Sequence, residues 1–222
     1  MPTSRHERTL RQVGFSFIAG VDEAGRGALF GPVFAAAVIL DPHRPIRGLD
    51  DSKQLPADRR EVLAERIKER ALAWAVAGAD AFEIDHYNIL EATRRAMQRA
   101  IAALRPSADY LLLDAITLPI PTPQRSLIHG DAVSFSIAAA SILAKTARDA
   151  AVAAWDQVFP GYGLAAHKGY STPAHLAALR TLGPSPLHRF SFEPVRACQP
   201  GSWDGYPLRI ADRPPRQGVL FA

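Results

Sequence analysis

Four carboxylates lie at the borders of apolar segments, where they could hold divalent cations. They are Asp22, Glu23, Asp114 and Asp131. An acidic side chain that ends a strand lies at the sheet rim, where α/β proteins bind ligands. If the strands that end at Asp22 and Asp114 are parallel neighbours, roughly 4.8 Å apart, the two carboxylates repel each other unless a cation lies between them. Such oxygen ligands suit Mg²⁺ or Mn²⁺, and two ions about 4 Å apart are the usual apparatus of phosphodiester hydrolysis.

Each of these acids also has a purely structural interpretation. Asp131 could be a helix N-cap, which is the favoured interpretation for a lone aspartate before a helix. Asp114 could begin a turn. Asp22 and Glu23 are consecutive and would face opposite sides of a regular strand. They reach one site only if the chain bends, and the segment Gly25-Arg26-Gly27 could supply that bend.

The elements that must position these acids follow from hydrophobic periodicity. We expect strands at Phe17–Val21, Val33–Leu40, Trp74–Ala79, Tyr110–Leu113 and Ser126–Ile128. We expect helices at Ala57–Ala73, Ala81–Leu104 (one or two helices), Ala132–Val158 and Thr172–Leu182. Thr172 and Pro173 are a typical cap and first residue of a helix. The order predicts an α/β core with a mixed five-stranded sheet flanked by helices, followed by a helical C-terminal extension.

Composition limits the class of protein. The chain has 222 residues and is 48% hydrophobic, enough for one compact domain. Its longest strictly apolar run, Val33–Leu40, is far shorter than the roughly 20 residues of a membrane helix. The N-terminus lacks the apolar stretch of a secretory signal, and Cys198 is the only cysteine. We therefore expect a cytoplasmic protein without disulfides, cysteine-based zinc clusters or membrane spans.

The surplus of positive charge lies in the C-terminal third. The net charge is +4, and residues 145–222 hold nine basic and five acidic groups. No carboxylate occurs between Gln157 and Phe192, a stretch that could lie along a phosphate backbone. A charge of this size alone favours an ordinary solvated surface.

Four blocks of sequence resemble, in order, the motifs of the bacterial type 2 ribonuclease H (ribonuclease HII) family. The first is Gly20-Val21-Asp22-Glu23-Ala24-Gly25-Arg26-Gly27, and the second is Asp51-Ser52-Lys53-Gln54-Leu55. The third runs from Gly130-Asp131 through Ser134 and Ser141-Ile142-Leu143-Ala144-Lys145 to Arg148-Asp149. The fourth comprises His167-Lys168-Gly169-Tyr170 and Gly183-Pro184-Ser185-Pro186-Leu187-His188-Arg189. The resemblance covers about Phe17 to Val195, and four ordered blocks carry far more weight than one short motif.

The resemblance implies a ribonuclease H-like fold and a function. The enzyme would be an endoribonuclease that hydrolyses RNA in RNA–DNA hybrids and cuts 5′ of ribonucleotides embedded in duplex DNA, leaving 3′-hydroxyl and 5′-phosphate ends. By this resemblance, the four acids named above would bind two Mg²⁺ or Mn²⁺ ions. Recognition of the ribonucleotide is carried onto Gly25, Arg26, Gly27 and Tyr170. Phosphate contacts are carried onto Lys53, Lys145 and Arg148, whereas Ser134 and Ser141 are expected to pack between helices.

The sequence departs from the family pattern at five positions. They are Ala28, Phe30, Ala115, Ser171 and Phe190. Phe30 could reshape the wall beside the site, and Phe190 replaces a common arginine and so removes a positive charge. All four expected metal ligands are present. Two rival functions stay open: a non-catalytic nucleic-acid-binding protein on the same fold, and a DNA nuclease or integrase relative.

The domain organisation is expected to have three parts. These are an N-terminal arm (residues 1–15), a catalytic domain (16–195) and a loosely ordered tail rich in proline and glycine (196–222). Gln217, Leu220 and Phe221 near the end resemble the short peptide by which bacterial replication proteins dock on the sliding clamp. The alternative is that Leu220 and Phe221 fold back onto the catalytic domain.

Overall fold

The computed structural model describes residues 2–198. Five strands form one sheet: β1 Ile18–Ala24, β2 Val33–Ile39, β3 Ala73–Ala79, β4 Tyr110–Asp114 and β5 Gln124–Leu127. The helices are α1 Arg5–Gln12, α2 Ala57–Arg70, α3 Ala81–Tyr87, α4 Ile89–Ala103, α5 Gly130–Val133, α6 Phe135–Val158, α7 Leu164–His167, α8 Pro173–Leu182 and α9 Glu193–Arg196.

The sheet is mixed, as the sequence predicts. Its strand order is β3-β2-β1-β4-β5. β1, β2 and β3 pair antiparallel, whereas β4 lies parallel to both β1 and β5. The expected parallel neighbourhood of the first and fourth strands is therefore confirmed, and it brings the acid-bearing ends of β1 and β4 to the same edge of the sheet.

Helices cover both faces of the sheet because every residue of β2 is buried and needs apolar partners on each side. On one face, residues of α4 such as Met97 pack against alternate residues of the strands. On the other face, α2 and α6 pack with residues such as Ile67 and Ile142. A separate apolar cluster joins the C-terminal helices to the end of α6, with Phe30 and Val152 at its centre.

The predicted start of the long helix Ala132–Val158 is wrong. The structure has a short α5 and a separate α6, with Ser134 between them as the N-cap of α6, its hydroxyl accepting from the Ile137 N–H. The break is stabilised from outside: the Thr3 N–H donates to the Val133 carbonyl, and the Phe135 N–H donates to the Thr3 carbonyl. Ser134 is thus a capping residue as well as a packing residue.

Most other boundaries agree with the sequence. Ala81–Leu104 is two helices, separated at Asn88, whose side chain caps α4. Thr172 caps α8 and Pro173 begins it, as expected. The last strand is displaced, since β5 begins at Gln124 rather than Ser126. Within residues 2–198, no helix combines the length and apolarity needed to cross a membrane.

Candidate active site

Asp22 and Asp114 lie on neighbouring strands at one edge of the sheet. The parallel pairing of β1 and β4 runs to Val21 and Leu113, so the two aspartates occupy the next position on each strand. Asp22 Oδ1 accepts a hydrogen bond from the Glu23 N–H (2.7 Å). β1 continues through Glu23 to Ala24, paired with β2, so the expected end of the strand at Val21 is wrong and the turn comes only afterwards.

Asp131 is attached to this edge through the start of α5. Asp114 Oδ1 accepts from the Gly130 N–H (2.7 Å), which fixes the residue before Asp131. The N-cap of α5 is His129, and Asp131 lies within the first turn of the helix, so the N-cap interpretation of Asp131 is wrong.

The carboxylates share a strongly anionic environment. Burial, then repulsion from Glu23 and Asp114, raises the pKa of Asp22 well above its usual value. Burial also raises the pKa of Glu23, where Asp114 adds to the effect and Arg26 opposes it. The charge of Asp114 is therefore felt by both acids of β1, although Asp22 and Glu23 are consecutive residues of one strand.

A fifth carboxylate, Asp51, belongs to the same cluster and was not singled out by sequence reasoning. Burial, then repulsion from Asp51 and Asp114, raises the pKa of Asp131. Burial alone would lower the pKa of Lys53, but Asp131, Asp51 and further acids together raise it. Lys53 Nζ lies 3.9 Å from Asp131 Oδ2, and its side chain is 77% exposed. The second sequence motif thus lies at the edge of the acidic cluster.

The donor chemistry of this cluster fits a hard divalent cation. Glu23 Oε2 is buried and has no hydrogen-bond partner within residues 2–198, while Glu23 Oε1 pairs with Arg26 Nη1 (3.3 Å). A buried carboxylate oxygen without a partner is costly unless a cation meets it. Across the described residues, however, no three His, Cys, Asp or Glu side chains are arranged to hold one ion. One oxygen each of Asp22, Glu23 and Asp114 is instead bonded to a donor of the protein.

One serine, Ser141, supports Asp22 and is itself paired with Ser52. Ser141 of α6 hydrogen-bonds the Asp22 side chain and lowers its pKa against the larger effect of burial. Ser141 Oγ also lies 2.9 Å from Ser52 Oγ in the second motif. The packing role expected for Ser141 therefore includes a polar contact. The signal that could have revealed it is a serine among the alanines of a buried helical face.

The two glycines of the Gly25-Arg26-Gly27 turn lack a side chain for different physical reasons. Gly25 has φ +96°, and a Cβ there would lie 2.0 Å from Arg148 Nε, so the protein itself requires glycine. At Gly27, a Cβ would meet no heavy atom of residues 2–198 within 4 Å. No contact of the described chain explains Gly27, as is expected where a ligand approaches the backbone.

This turn is tied to the segment that carries Tyr170. Ala28 forms a β-bridge with Tyr170, and the Leu29 N–H donates to the Gly169 carbonyl (2.8 Å). Arg189, completely buried, donates from Nη1 to the Arg26 carbonyl (2.8 Å) and from Nε to the Gly31 carbonyl (2.9 Å). Sequence reasoning placed Arg189 in a motif but gave it no role, since its targets are backbone atoms more than 150 residues away.

The three expected phosphate contacts are placed very differently. Lys53 is exposed beside Asp131, whereas Lys145 Nζ donates to Asp149 Oδ1 (2.7 Å). Arg148 is fully buried, and its guanidinium donates to the carbonyls of Lys168 (3.0 Å) and Phe30 (3.2 Å). Arg148 is therefore buried and bonded to the main chain, unlike the exposed Lys53, and its contact with a phosphate stays a prediction.

Lys145 and Arg148 also lie against the Tyr170 ring. Lys145 Nζ is 5.5 Å and Arg148 Cζ is 5.1 Å from the ring centroid, within cation–π range. These two basic residues therefore orient the aromatic ring.

Two departures from the family pattern can be placed. Phe30 is fully buried, with its ring edge-on to Trp155, Phe159 and His188, so it fills a core instead of lining the acidic cluster. Ala115 has φ +51°, a left-handed conformation in which glycine is less strained. The tail residues Gln217, Leu220 and Phe221 lie outside the described residues.

A model of the Ribonuclease HII family matches residues 19–195, which include every acid of the cluster. Ribonuclease HII of Solibacter usitatus is 62% identical over 86% of this chain and 84% of its own length. This chain belongs to the ribonuclease HII family. It is a ribonuclease H, an endonuclease that hydrolyses the RNA of RNA–DNA hybrids.

Solved structures agree with the fold of the family. The ribonuclease H2 of Pyrococcus horikoshii OT3 superposes with a TM-score of 0.70 at 26% identity, covering 82% of this chain and 97% of that chain. Ribonuclease HII of Archaeoglobus fulgidus, solved in a complex with PCNA, gives a TM-score of 0.69 at 25% identity, covering 85% and 100%. The ribonuclease H-like fold expected from the sequence is confirmed.

Proposed function

We propose that this ribonuclease HII cuts the RNA strand of hybrids and also incises 5′ of single ribonucleotides in duplex DNA, leaving 3′-hydroxyl and 5′-phosphate ends. The observation that carries the proposal is that the Gly25–Gly27 turn follows directly after β1. The same strand carries Asp22 and Glu23, so the turn and these two acids are parts of one continuous segment. A ribose bound at the turn would present its 5′-phosphate to the acids.

In this proposal Asp22, Glu23, Asp114 and Asp131 are the metal ligands. Their support is the shared negative charge and the unpartnered Glu23 Oε2. When bound, two Mg²⁺ or Mn²⁺ ions would supply a water of lowered pKa and positive charge for the phosphate. Asp22 and Glu23 would hold the ions from β1, Asp114 from the end of β4 and Asp131 from α5. Arg26 and Lys53, which now pair with Glu23 and Asp131, would be freed for substrate phosphates.

The 2′-hydroxyl is the only group that distinguishes a ribonucleotide within DNA. We assign its recognition to the backbone of Gly25 and Gly27 and to Arg26, because the open space at Gly27 lets another molecule approach the main chain. Tyr170 would stack on the neighbouring deoxyribose. Lys53 and Lys145 would contact phosphates, the second only after leaving Asp149.

The test is cleavage-site mapping on two labelled duplexes, one with a single ribonucleotide and one with a continuous hybrid. Asp22→Asn keeps the shape of the side chain but removes a charge, so we expect cleavage of both substrates to fall at least a hundredfold and Mn²⁺ binding by calorimetry to weaken. The control is Asp58→Asn, an exposed acid on α2. Wild-type cleavage by Asp22→Asn, or cleavage that persists in EDTA, would contradict the proposal.

We also propose that the tail bearing Gln217, Leu220 and Phe221 docks on the replication sliding clamp, and that the enzyme works in the cytoplasm on newly replicated DNA. The support is the resemblance of the tail to clamp-binding peptides, together with the PCNA complex of the Archaeoglobus fulgidus relative. Deleting residues 217–222 should leave cleavage in solution unchanged and abolish binding to purified clamp. Clamp binding that survives the deletion would refute this part.

A further inference from the structure

Three histidines lie packed together behind Tyr170 and take no part in the chemistry proposed above. They are His167, His175 and His188. The rings of His167 and His175 stack at a centroid distance of 4.4 Å. His175 and His188 are completely buried, and their Nε2 atoms lie 3.0 Å apart. Two imidazoles at this distance form a hydrogen bond only if one donates and the other accepts.

Backbone groups decide which ring donates. The Ser185 N–H, which can only donate, points at His188 Nδ1 (2.9 Å), so that nitrogen carries a lone pair. His188 therefore holds its proton on Nε2 and donates it to His175 Nε2. His175 must then hold its own proton on Nδ1, where the Tyr170 carbonyl accepts it (3.0 Å). One neutral tautomer of each ring satisfies all the bonds.

The tautomer of His167 follows from its bond to Gly169, the residue before Tyr170. The Gly169 N–H donates to His167 Nδ1 (3.2 Å), so the proton lies on Nε2, which donates to the Tyr162 carbonyl (2.8 Å). His167 and His175 thus hold the main chain on both sides of the Gly169–Tyr170 peptide, and His188 supports His175. The same two residues bond the strand segment that follows the Gly25–Gly27 turn, through Ala28 and Leu29.

We propose that the chain of hydrogen bonds Ser185–His188–His175–Tyr170 positions Tyr170 for ribonucleotide recognition, with His175 and His188 as positioning residues. The proposal rests on the recognition role proposed for Tyr170. Fixed imidazole tautomers can hold a loop carbonyl more rigidly than a mobile side chain could, because neither ring turns over without losing two bonds. Because the carbonyl and the ring belong to the same residue, holding the Tyr170 carbonyl also keeps the Tyr170 ring against Lys145 and Arg148.

The surroundings keep both rings neutral. Burial, then the neighbouring His175, lowers the pKa of His188 to about 3. Burial also lowers the pKa of His175. Among the described residues, His188 faces Ser185, His175 and the rings of Tyr162 and Phe30, and His167 also acts on its charge. None of them is a carboxylate that would favour an imidazolium, so the arrangement persists at neutral pH.

A matched pair of variants tests separately the hydrogen bonds at the two ring nitrogens of His175. His175→Asn places an amide N–H near the former Nδ1 and keeps the bond to the Tyr170 carbonyl. His175→Gln places its amide near the former Nε2, which keeps the contact with His188 but loses the bond to Tyr170. We expect kcat/KM on a duplex with one ribonucleotide to fall at least tenfold in His175→Gln and less than threefold in His175→Asn, with similar losses in Tm. A purely structural role would reduce activity in step with Tm in both.

Nitrogen-15 NMR of the histidine rings in the wild-type protein at pH 7 gives a readout that does not depend on activity. We expect His167 and His188 protonated at Nε2 and His175 at Nδ1. Different tautomers, or equal activity of the two His175 variants when Tyr170→Ala is impaired, would overturn this proposal alone. Wild-type cleavage by Tyr170→Ala would overturn the recognition role of Tyr170 and, with it, the positioning role.

Discussion

At the scale of single residues, Gly25 and Gly27 show how two glycines of one motif serve different ends. Gly25 is required by the fold, since its φ is +96° and the Arg148 side chain fills the space of a Cβ. Gly27 has open space, so its lack of a side chain serves an approaching molecule in the proposed function. Stability and activity should therefore respond differently at the two positions.

We predict that Gly27→Ala leaves Tm within about 2 °C of wild type but lowers cleavage at a single ribonucleotide at least tenfold, because the added methyl obstructs the approach of the ribose. Gly25→Ala should lower both, with about 1–3 kcal/mol lost from strain and overpacking. Thermal unfolding and single-turnover cleavage measure the two effects. If Gly27→Ala cleaved normally, the turn would have no direct contact with the substrate.

At the scale of elements, the contact of β1 with α6 determines where Asp22 lies. A Cβ at Gly20 would be only 2.0 Å from the main-chain carbon of Ser136, so the strand and helix backbones touch at this point. The close approach brings Ser141, further along α6, to Asp22. The glycine that opens the first sequence motif is thus a packing requirement of the site.

Gly20→Ala should therefore destabilise the protein by about 3 kcal/mol or more, the upper end of overpacking costs, because backbone cannot move aside as a side chain can. Gly78→Ala in β3 is the matched control, since a Cβ there meets its neighbours at an ordinary 3.5 Å. Urea unfolding of both variants measures the difference. Equal stability of the two would mean that α6 shifts freely on the sheet.

The N-terminal helix α1 acts on the same region from the opposite end of the chain. Glu7 is buried, and its Oε1 accepts from the hydroxyls of Ser134 (2.7 Å) and Ser136 (2.7 Å) and from the Ser136 N–H (3.0 Å). Glu7→Ala would remove the shared acceptor of three donors at the start of α6, of which the two hydroxyls could pair only with each other. We expect a loss of about 2–3 kcal/mol.

Glu7→Gln retains a carbonyl oxygen for these donors and should lose clearly less stability in the same urea titration. If Glu7→Ala and Glu7→Gln were equally stable, the hydrogen bonds would not be what holds α1 in place. The cost of Glu7→Ala would then belong to the packing of the helix alone.

Local sequence was enough to predict the elements whose periodicity is strong, together with the edge where β1 and β4 end. It could not predict the break before α6, because Thr3 and Glu7 stabilise it from about 130 residues away. The role of Arg189 was inaccessible for the same reason, because the main-chain groups that accept from it lie more than 150 residues away. The pairing of His175 with His188 is closer in sequence, but it depends on the geometry of the folded loops, which local periodicity does not report.

At the scale of the whole molecule, the fold connects four distant sequence motifs through a few buried polar groups. The acidic cluster joins the first three motifs. Arg189 joins the fourth motif to the first through the Arg26 carbonyl, and Arg148 joins the third to the fourth through the Lys168 carbonyl. Burial, then repulsion from Arg148, lowers the pKa of Arg189. Backbone carbonyls accept from two nitrogens of each guanidinium, whereas Arg148 Nε and Arg189 Nη2 have no partner within residues 2–198. Such groups make stability sensitive to pH.

The buried His188 gives that sensitivity a direction. Its pKa falls from the usual 6.5 to about 3 in the folded protein. Between these two pH values, His188 is protonated in the unfolded chain but neutral in the folded protein. The contribution of His188 is therefore complete above pH 6.5 and is lost as the pH falls towards 3. Between pH 8 and pH 5 the loss should be about 2 kcal/mol.

We predict that His188→Gln, which keeps a donor for His175 but cannot titrate, loses less stability over this range than wild type. The comparison isolates His188 because the other shifted groups are present in both proteins. They include His175, whose lowered pKa contributes with the same sign, and Asp22, Glu23 and Asp131, whose raised pKa values contribute with the opposite sign. Urea midpoints at pH 8, 6.5 and 5 give the two curves. Parallel curves would show that His188 accepts a proton within the folded protein near its ordinary pKa, and the neutral pair of histidines would have to be abandoned.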